Sequence, residues 1–154
     1  MTKEGKSPKT EFVGKSAKYI LDKIGISVGD DVKVILMETK EDHPFVQVEL
    51  MMPILPLVRV PDVDQAIEMA VRVEHGNRHT AMMHSRNVEK LTKMAKLIQT
   101  TIFVKNGPSY AGIGVGGEGY TTFTIAGPTG EGLTSAKSFA RRRRCVLVGG
   151  MDVR

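Results

Sequence analysis

The stretch ILPLVRVPDVDQAIEMAVRVEHGNRHTAMMHSRNVEKLTKMAKLIQTTIFVK, Ile54 to Lys105, decides the fold. Its apolar residues change period four times. ILPLVRV (Ile54 to Val60) reads as a buried strand. After Pro61 and Asp62, VDQAIEMAVRV puts Val63, Ile67, Ala70 and Val73 on one helical stripe. HTAMMHS (His79 to Ser85) is a short strand, Asn87 caps the helix VEKLTKMAKLIQ, and TIFVK (Thr101 to Lys105) is a further strand. Strand, helix, strand, helix, strand is the signature of an α/β layer with a mostly parallel sheet flanked by helices.

Upstream, Thr10 is placed to cap a helix with Phe12, Ala17, Ile20, Leu21 and Ile24 on one face, closed by Gly25. VKVILMET (Val32 to Thr39) and FVQVEL (Phe45 to Leu50) alternate as strands do, until Pro53 and Pro56 interrupt. Downstream of Lys105 the texture changes to a glycine-rich tract from Gly107 to Gly119, then β-like TTFTIA, the loop GPTGEGLT and the terminal FARRRRCVLV. The expected organisation is an α/β body over residues 1–105 and, over 106–154, glycine-rich loops with a C-terminal β arm, the two forming one structural unit.

Composition narrows the functional classes. The 154 residues suffice for a core without disulfides, and the single cysteine rules out an internal one. No apolar run approaches a membrane span and the charged start is no signal peptide, so a soluble, cytoplasmic protein with no membrane partner is expected. The net charge of +5 suits anionic partners. Four of those positive charges, however, are the single run Arg141 to Arg144, too local to class the whole chain as a nucleic-acid binder. That run, as a polyanion-binding module, is the alternative reading. Its β-like flanks and the scarcity of aromatic residues favour a strand and no nucleic acid.

Two glycine motifs mislead. GIGVGG (Gly112 to Gly117) spells G-x-G-x-x-G, but β-like TTFTIA follows where a dinucleotide fold opens a helix. GPTGEGLT (Gly127 to Thr134) resembles a P-loop with Leu133 in the place of the phosphate-binding lysine. His75, His79 and His84 invite a metal reading. No cysteine lies near them, Gly76 and Asn77 break the first spacing, and five residues along a strand turn to opposite faces, so no metal is expected. One such histidine can still serve as a general acid or base. Glu49, at the end of an apolar strand, reads equally as a ligand-facing acid at the carboxyl edge of a parallel sheet or as a solvated edge glutamate. Cys145 follows four arginines, a setting that lowers a thiol pKa. A nucleophile also needs a pocket and a cofactor beside it, and Cys145 reads instead as a small strand residue.

HPFVQVELMMPILPLVRV, DVDQAI, GNRHTAMMHS, TIFVKNGPS and FTIAGPTGEGLTSAKSFARRRRCVLV, in this order, resemble the C-terminal portion of the CoA-acylating aldehyde dehydrogenases, chiefly the propionaldehyde and acetaldehyde dehydrogenases of propanediol and ethanolamine utilisation. The resemblance runs from about Phe12 to Val148. It implies an aldehyde-dehydrogenase-like catalytic domain. It also implies a reaction of a short-chain aldehyde, CoA and NAD to acyl-CoA and NADH, in which a cysteine thiolate attacks the aldehyde and the CoA thiol resolves the acyl-enzyme. ELMMP is similar to the family's E-x-F-G-P segment, whose glutamate contacts the nicotinamide ribose, so Glu49 takes that role, with Met51 and Met52 replacing the usual Phe and Gly. His79 corresponds to a histidine of acylating members and is the candidate for the CoA or thioester step. FARRRRCVLV resembles the strand through which subunits form homo-oligomers. The resemblance also implies a cytoplasmic enzyme, in some members confined to a bacterial microcompartment. The family's nucleophilic cysteine and cofactor-binding lobe lie upstream of the matched segment, so the chain alone is expected to be inactive, or to act only as an oligomerisation fragment.

Overall fold

The computed structural model describes residues 7–117, 125–126, 132–146 and 148–149. The chain divides into two compact units, residues 1–76 with 92–98, and residues 77–91 with 99–154.

In the first unit the expected N-terminal helix is split. A 3-10 turn covers Thr10–Phe12, Gly14 turns with φ of 71°, and helix α1 runs Ala17–Asp22. The Thr10 cap gives way to Ser16, whose Oγ accepts from Tyr19 N at 3.2 Å, because Gly14 adopts a left-handed conformation that no helix can pass through. Gly25 closes the segment as expected, with φ of 79°. Ile24, beyond the helix, is exposed.

Strands β1 (Ile35–Glu38) and β2 (Ile54–Leu57) pair in parallel, Ile35 opposite Ile54 and Glu38 opposite Leu57. FVQVEL is not a strand. Pro44–Gln47 forms the short helix α2, capped by His43, whose Nδ1 accepts from Phe45 N at 3.1 Å. Proline at the first helical position and a side-chain cap directly before it outweigh a weak alternation. Phe12, Ile20, Leu50 and Ile54 form the core of this unit, with Tyr19, Ile35, Phe45, Val48 and Met52 against it. Helix α3 (Val63–Val73) begins at Asp62, whose carboxylate accepts from Gln65 N at 2.9 Å, and buries Ile67 from its expected stripe. That backbone bond, with a second from the Gln65 side chain, holds the Asp62 carboxyl below its ordinary value.

In the second unit, strands β3 (Thr80–Met83) and β4 (Ile102–Lys105) pair in parallel, Thr80 opposite Ile102 and Met83 opposite Lys105. Helix α4 (Val88–Ile98), whose first residues belong to this unit and whose residues 92–98 belong to the first, is capped by Asn87, as its sequence predicts, with Oδ1 accepting from Lys90 N at 3.0 Å. A 3-10 turn over Ser109–Ile113 packs Ile113 with Ile102 and Val104. Gly112 in that turn lies so close to β4 that a Cβ would collide with the Ile102 side chain. Short strands β5 (Ile125–Ala126) and β6 (Gly132–Leu133) pair antiparallel. The remainder of TTFTIA and of the GPTGEGLT loop lies outside the described residues.

The terminal stretch differs from its expected strand. Ala136–Phe139 is a 3-10 helix, and residues 141–146 are exposed and carry no strand. A strand exists only against a partner, and among the described residues none pairs with this segment. No helix among the described residues is long and apolar enough to cross a membrane.

Candidate active site

Glu49 lies in the segment between α2 and β2, so it precedes a strand rather than ending one, which corrects its expected place at the carboxyl edge. Val48 is extended and half-buried and Leu50 is buried, both within the first core. Extended backbone sends alternate residues to opposite sides, and Glu49 is accordingly exposed. An ionised carboxylate is an acceptor only, able to take hydroxyl donors such as a ribose diol.

The segment carrying Glu49 is pinned from both ends. Gln47 Nε2 donates to the Glu41 carbonyl at 2.6 Å. The ring Nε2 of His75 is 3.1 Å from the Gln47 carbonyl; a carbonyl only accepts, so the imidazole donates there. Arg72, in the last turn of α3, grips Glu41 with two bonds, Nε to Oε1 at 2.9 Å and Nη2 to Oε2 at 3.1 Å. The Arg72 bond holds the Glu41 carboxyl below its ordinary value and raises the guanidinium in return. On the other side Met51 has φ of 49°, and its carbonyl accepts from Gly14 N at 3.0 Å. In the E-x-F-G-P pattern a glycine stands one place later, yet here the left-handed residue is Met51. Such a conformation costs a non-glycine residue about 1 kcal/mol or more and persists where its surroundings impose it.

His79 lies at the amino end of β3. Its carbonyl accepts from Ile102 N at 3.1 Å, and its Nδ1 is 2.7 Å from the Thr80 hydroxyl. The imidazole is exposed. His84 follows β3 and is also exposed, so the two histidines bracket the strand rather than occupying it. At the carboxyl end of this strand pair Asn106, with φ of 54°, accepts from Ser85 N at 2.7 Å and donates to the Ser85 carbonyl at 2.9 Å. Among the described residues no group of three His, Cys, Asp or Glu is arranged to hold a metal ion. Cys145 is a free, exposed thiol outside any strand described in the single chain.

Sequence reasoning picked Glu49 and His79, and the structure places them in different units. It missed the supports of Glu49, namely His75, Arg72 and Glu41. The signal for His75 was available only as a following glycine, since the carbonyl it meets is 28 residues away.

Parallel strand pairs flanked by helices are the architecture of a known family. The pattern of the aldehyde dehydrogenase family matches residues 32–131, and the chain belongs to that family. It is 54% identical over 143 residues to the acetaldehyde dehydrogenase (acetylating) EutE of Salmonella typhimurium, covering 93% of this chain and 31% of that protein. It is also 54% identical to the CoA-propanoylating propanal dehydrogenase of the same organism, covering 98% of this chain and 32% of the relative. Rhodopseudomonas palustris propionaldehyde dehydrogenase, solved with bound CoA and an acylated cysteine, superposes with a TM-score of 0.88 at 70% identity, covering 99% of this chain and 35% of that one. The chain thus spans about a third of the length of the relatives it matches.

Proposed function

We propose that this chain supplies the C-terminal part of a CoA-acylating aldehyde dehydrogenase that converts a short aldehyde, CoA and a nicotinamide dinucleotide to acyl-CoA and the reduced dinucleotide. The observation that carries the reading is the 70% identity, along almost the whole chain, to a propionaldehyde dehydrogenase solved with CoA and an acylated cysteine. The dinucleotide in this reading is NAD. In this reading residues 1–105 form the body and residues 106–154 the glycine-rich loops and the arm through which a homo-oligomer assembles. The enzyme is cytoplasmic, and a bacterial microcompartment is a natural location, since a similar propionaldehyde dehydrogenase comes from one.

The residues present fit the groups the reaction needs. The outward carboxylate of Glu49 accepts hydrogen bonds from the nicotinamide ribose, and the clamp formed by His75, Gln47, Glu41 and Arg72 fixes where that carboxylate stands. The bound dinucleotide supplies the hydride acceptor. The exposed imidazole of His79 takes the proton of the CoA thiol, so that the sulfur attacks the acyl thioester as a thiolate. The attacked thioester belongs to a cysteine other than Cys145, whose exposed setting offers no pocket to exclude water.

The purified chain, given propionaldehyde, CoA and NAD, produces no NADH. Robust production that disappears in Cys145→Ala overturns the reading. In a full-length enzyme carrying this stretch, Glu49→Gln raises the KM for NAD. His79→Ala slows CoA-dependent turnover while sparing the first burst of NADH, by about a hundredfold if the imidazole acts as a general base. Unchanged kinetics in both variants remove these two assignments.

A further inference from the structure

The second unit carries a concentration of charge that the proposed reaction leaves unused. Arg141, Arg142, Arg143 and Arg144 are all exposed, and the four together line one open cavity of about 670 Å³. Among the described residues no carboxylate pairs with any of them, whereas Lys18, Arg59, Arg72 and Lys93 each meet one. A guanidinium offers five fixed donors and no acceptor, so a hollow walled by four of them takes an anion rich in acceptor oxygens. Four adjacent charges with no acid between them exceed what one small anion neutralises, which suits a repeating polyanion.

A second observation separates nucleic acid from other polyanions. Phe139 closes the 3-10 helix Ala136–Phe139 and is 72% exposed, with only Ala140 between it and the first arginine. Two residues of chain span at most about 7 Å, so the ring and the charge stand beside one another on the scale of a nucleotide. An aromatic face stacks a free base while a basic groove tracks the phosphates, and the two together hold a single strand. An acidic peptide offers no base to stack, and a duplex keeps its bases stacked on one another. Lys137, two residues before Phe139, adds a fifth cation. The scarcity of aromatic residues that speaks against nucleic acid in the sequence is a count; the structure adds where the ring stands. Pairing of the arm with a second copy would engage backbone groups and leave the side chains on the two faces of the strand, so the two uses of this segment are compatible.

We infer that residues 137–144 form a binding site for single-stranded nucleic acid, in which Arg141 to Arg144 hold consecutive phosphates and Phe139 stacks a base. The inference goes beyond the aldehyde reaction and does not depend on it.

Fluorescence anisotropy of a labelled uridine strand of about 12 nucleotides, titrated with this chain at several salt concentrations, tests the site. Binding weakens as salt rises, with a slope of log K against log salt of about −3, as four phosphate contacts on a single strand require. Arg142→Gln/Arg143→Gln halves that slope, and Arg142→Lys/Arg143→Lys keeps it. Phe139→Ala weakens binding about fivefold or more with the slope unchanged, because the ring carries no charge, and Phe139→Trp retains affinity. All these positions are exposed, and circular dichroism checks that each variant keeps the fold of the parent. No binding at low salt, or an unaltered slope in the glutamine variant, overturns the site. Polyglutamate or a duplex that competes as well as the single strand, or a Phe139→Ala variant that binds as the parent does, reduces it to plain charge attraction and overturns the assignment as well. Displacement of the strand by equimolar CoA does the same, since the run would then be a cofactor contact.

Discussion

The two parallel strand pairs have equal length and opposite surroundings. In β1–β2 one face is half-buried or buried through Ile35, Met37, Ile54 and Pro56, while the other leaves Leu36, Leu55 and Leu57 exposed at 68%, 55% and 42%. In β3–β4, Ile102 and Val104 are buried beneath the Ser109–Ile113 turn, and the carboxyl end is stitched by Asn106 to Ser85. The first pair is thus held by packing on one side with an exposed Arg59–Glu38 ion pair at its carboxyl end, and the second by packing plus the Asn106 clamp. Parallel pairs ordinarily read as continuous apolar runs because both faces are covered. The outer face of β1–β2 has that composition without cover from the described residues.

The largest effect is expected where packing dominates. Ile20 is fully buried in the core against β2, and Ile20→Ala removes about 2–5 kcal/mol, read as a lower denaturation midpoint. A loss below about 1 kcal/mol would mean that the first pair does not depend on this core. The clamp of the second pair comes next. Asn106→Ala deletes both Ser85 bonds and forces alanine to φ of 54°, at a cost of about 1–3 kcal/mol. Asn106→Gly tolerates that backbone, so it isolates the hydrogen bonds, and equal losses in the two variants would assign the whole effect to them. Leu36→Ser on the uncovered face changes the stability of the chain by less than about 0.5 kcal/mol. Val104→Ser, on a covered face, costs clearly more, and similar values for the two would erase the contrast between the pairs.

The smallest effect is a pH dependence in the first unit. Glu41 has a depressed carboxyl in the folded chain, so its contribution is present above the ordinary glutamate range and lost as pH falls through the lowered value. Arg72→Gln removes the principal cause of that depression. Acid titration followed by circular dichroism should then show a shallower fall in stability at low pH, and an unchanged curve would separate Glu41 from acid sensitivity.

Much of this architecture was legible in the sequence. The helical stripes and caps of α3 and α4 are local signals, since Asp62 and Asn87 bond to nitrogens three residues on. Periodicity erred where a local device contradicted it. Pro44 with the His43 cap turned an alternating run into helix, and Gly14 broke a stripe that would otherwise have started at Thr10. Of the candidate site, Glu49 and His79 came from motif resemblance, and the structure gives their surroundings rather than their chemistry. The supports of Glu49 were illegible because Arg72 and Glu41 are 31 residues apart, and nothing in local spacing pairs them.

The lysine contact on Tyr19 has a spectroscopic consequence. The chain has no tryptophan and three tyrosines, so its ultraviolet emission comes from phenol rings alone. Tyr19 is flanked by Lys15 at 5.5 Å and Lys23 at 5.3 Å. Displacing either ammonium changes the field on that ring, giving the N-terminal segment a label-free optical report of its own geometry.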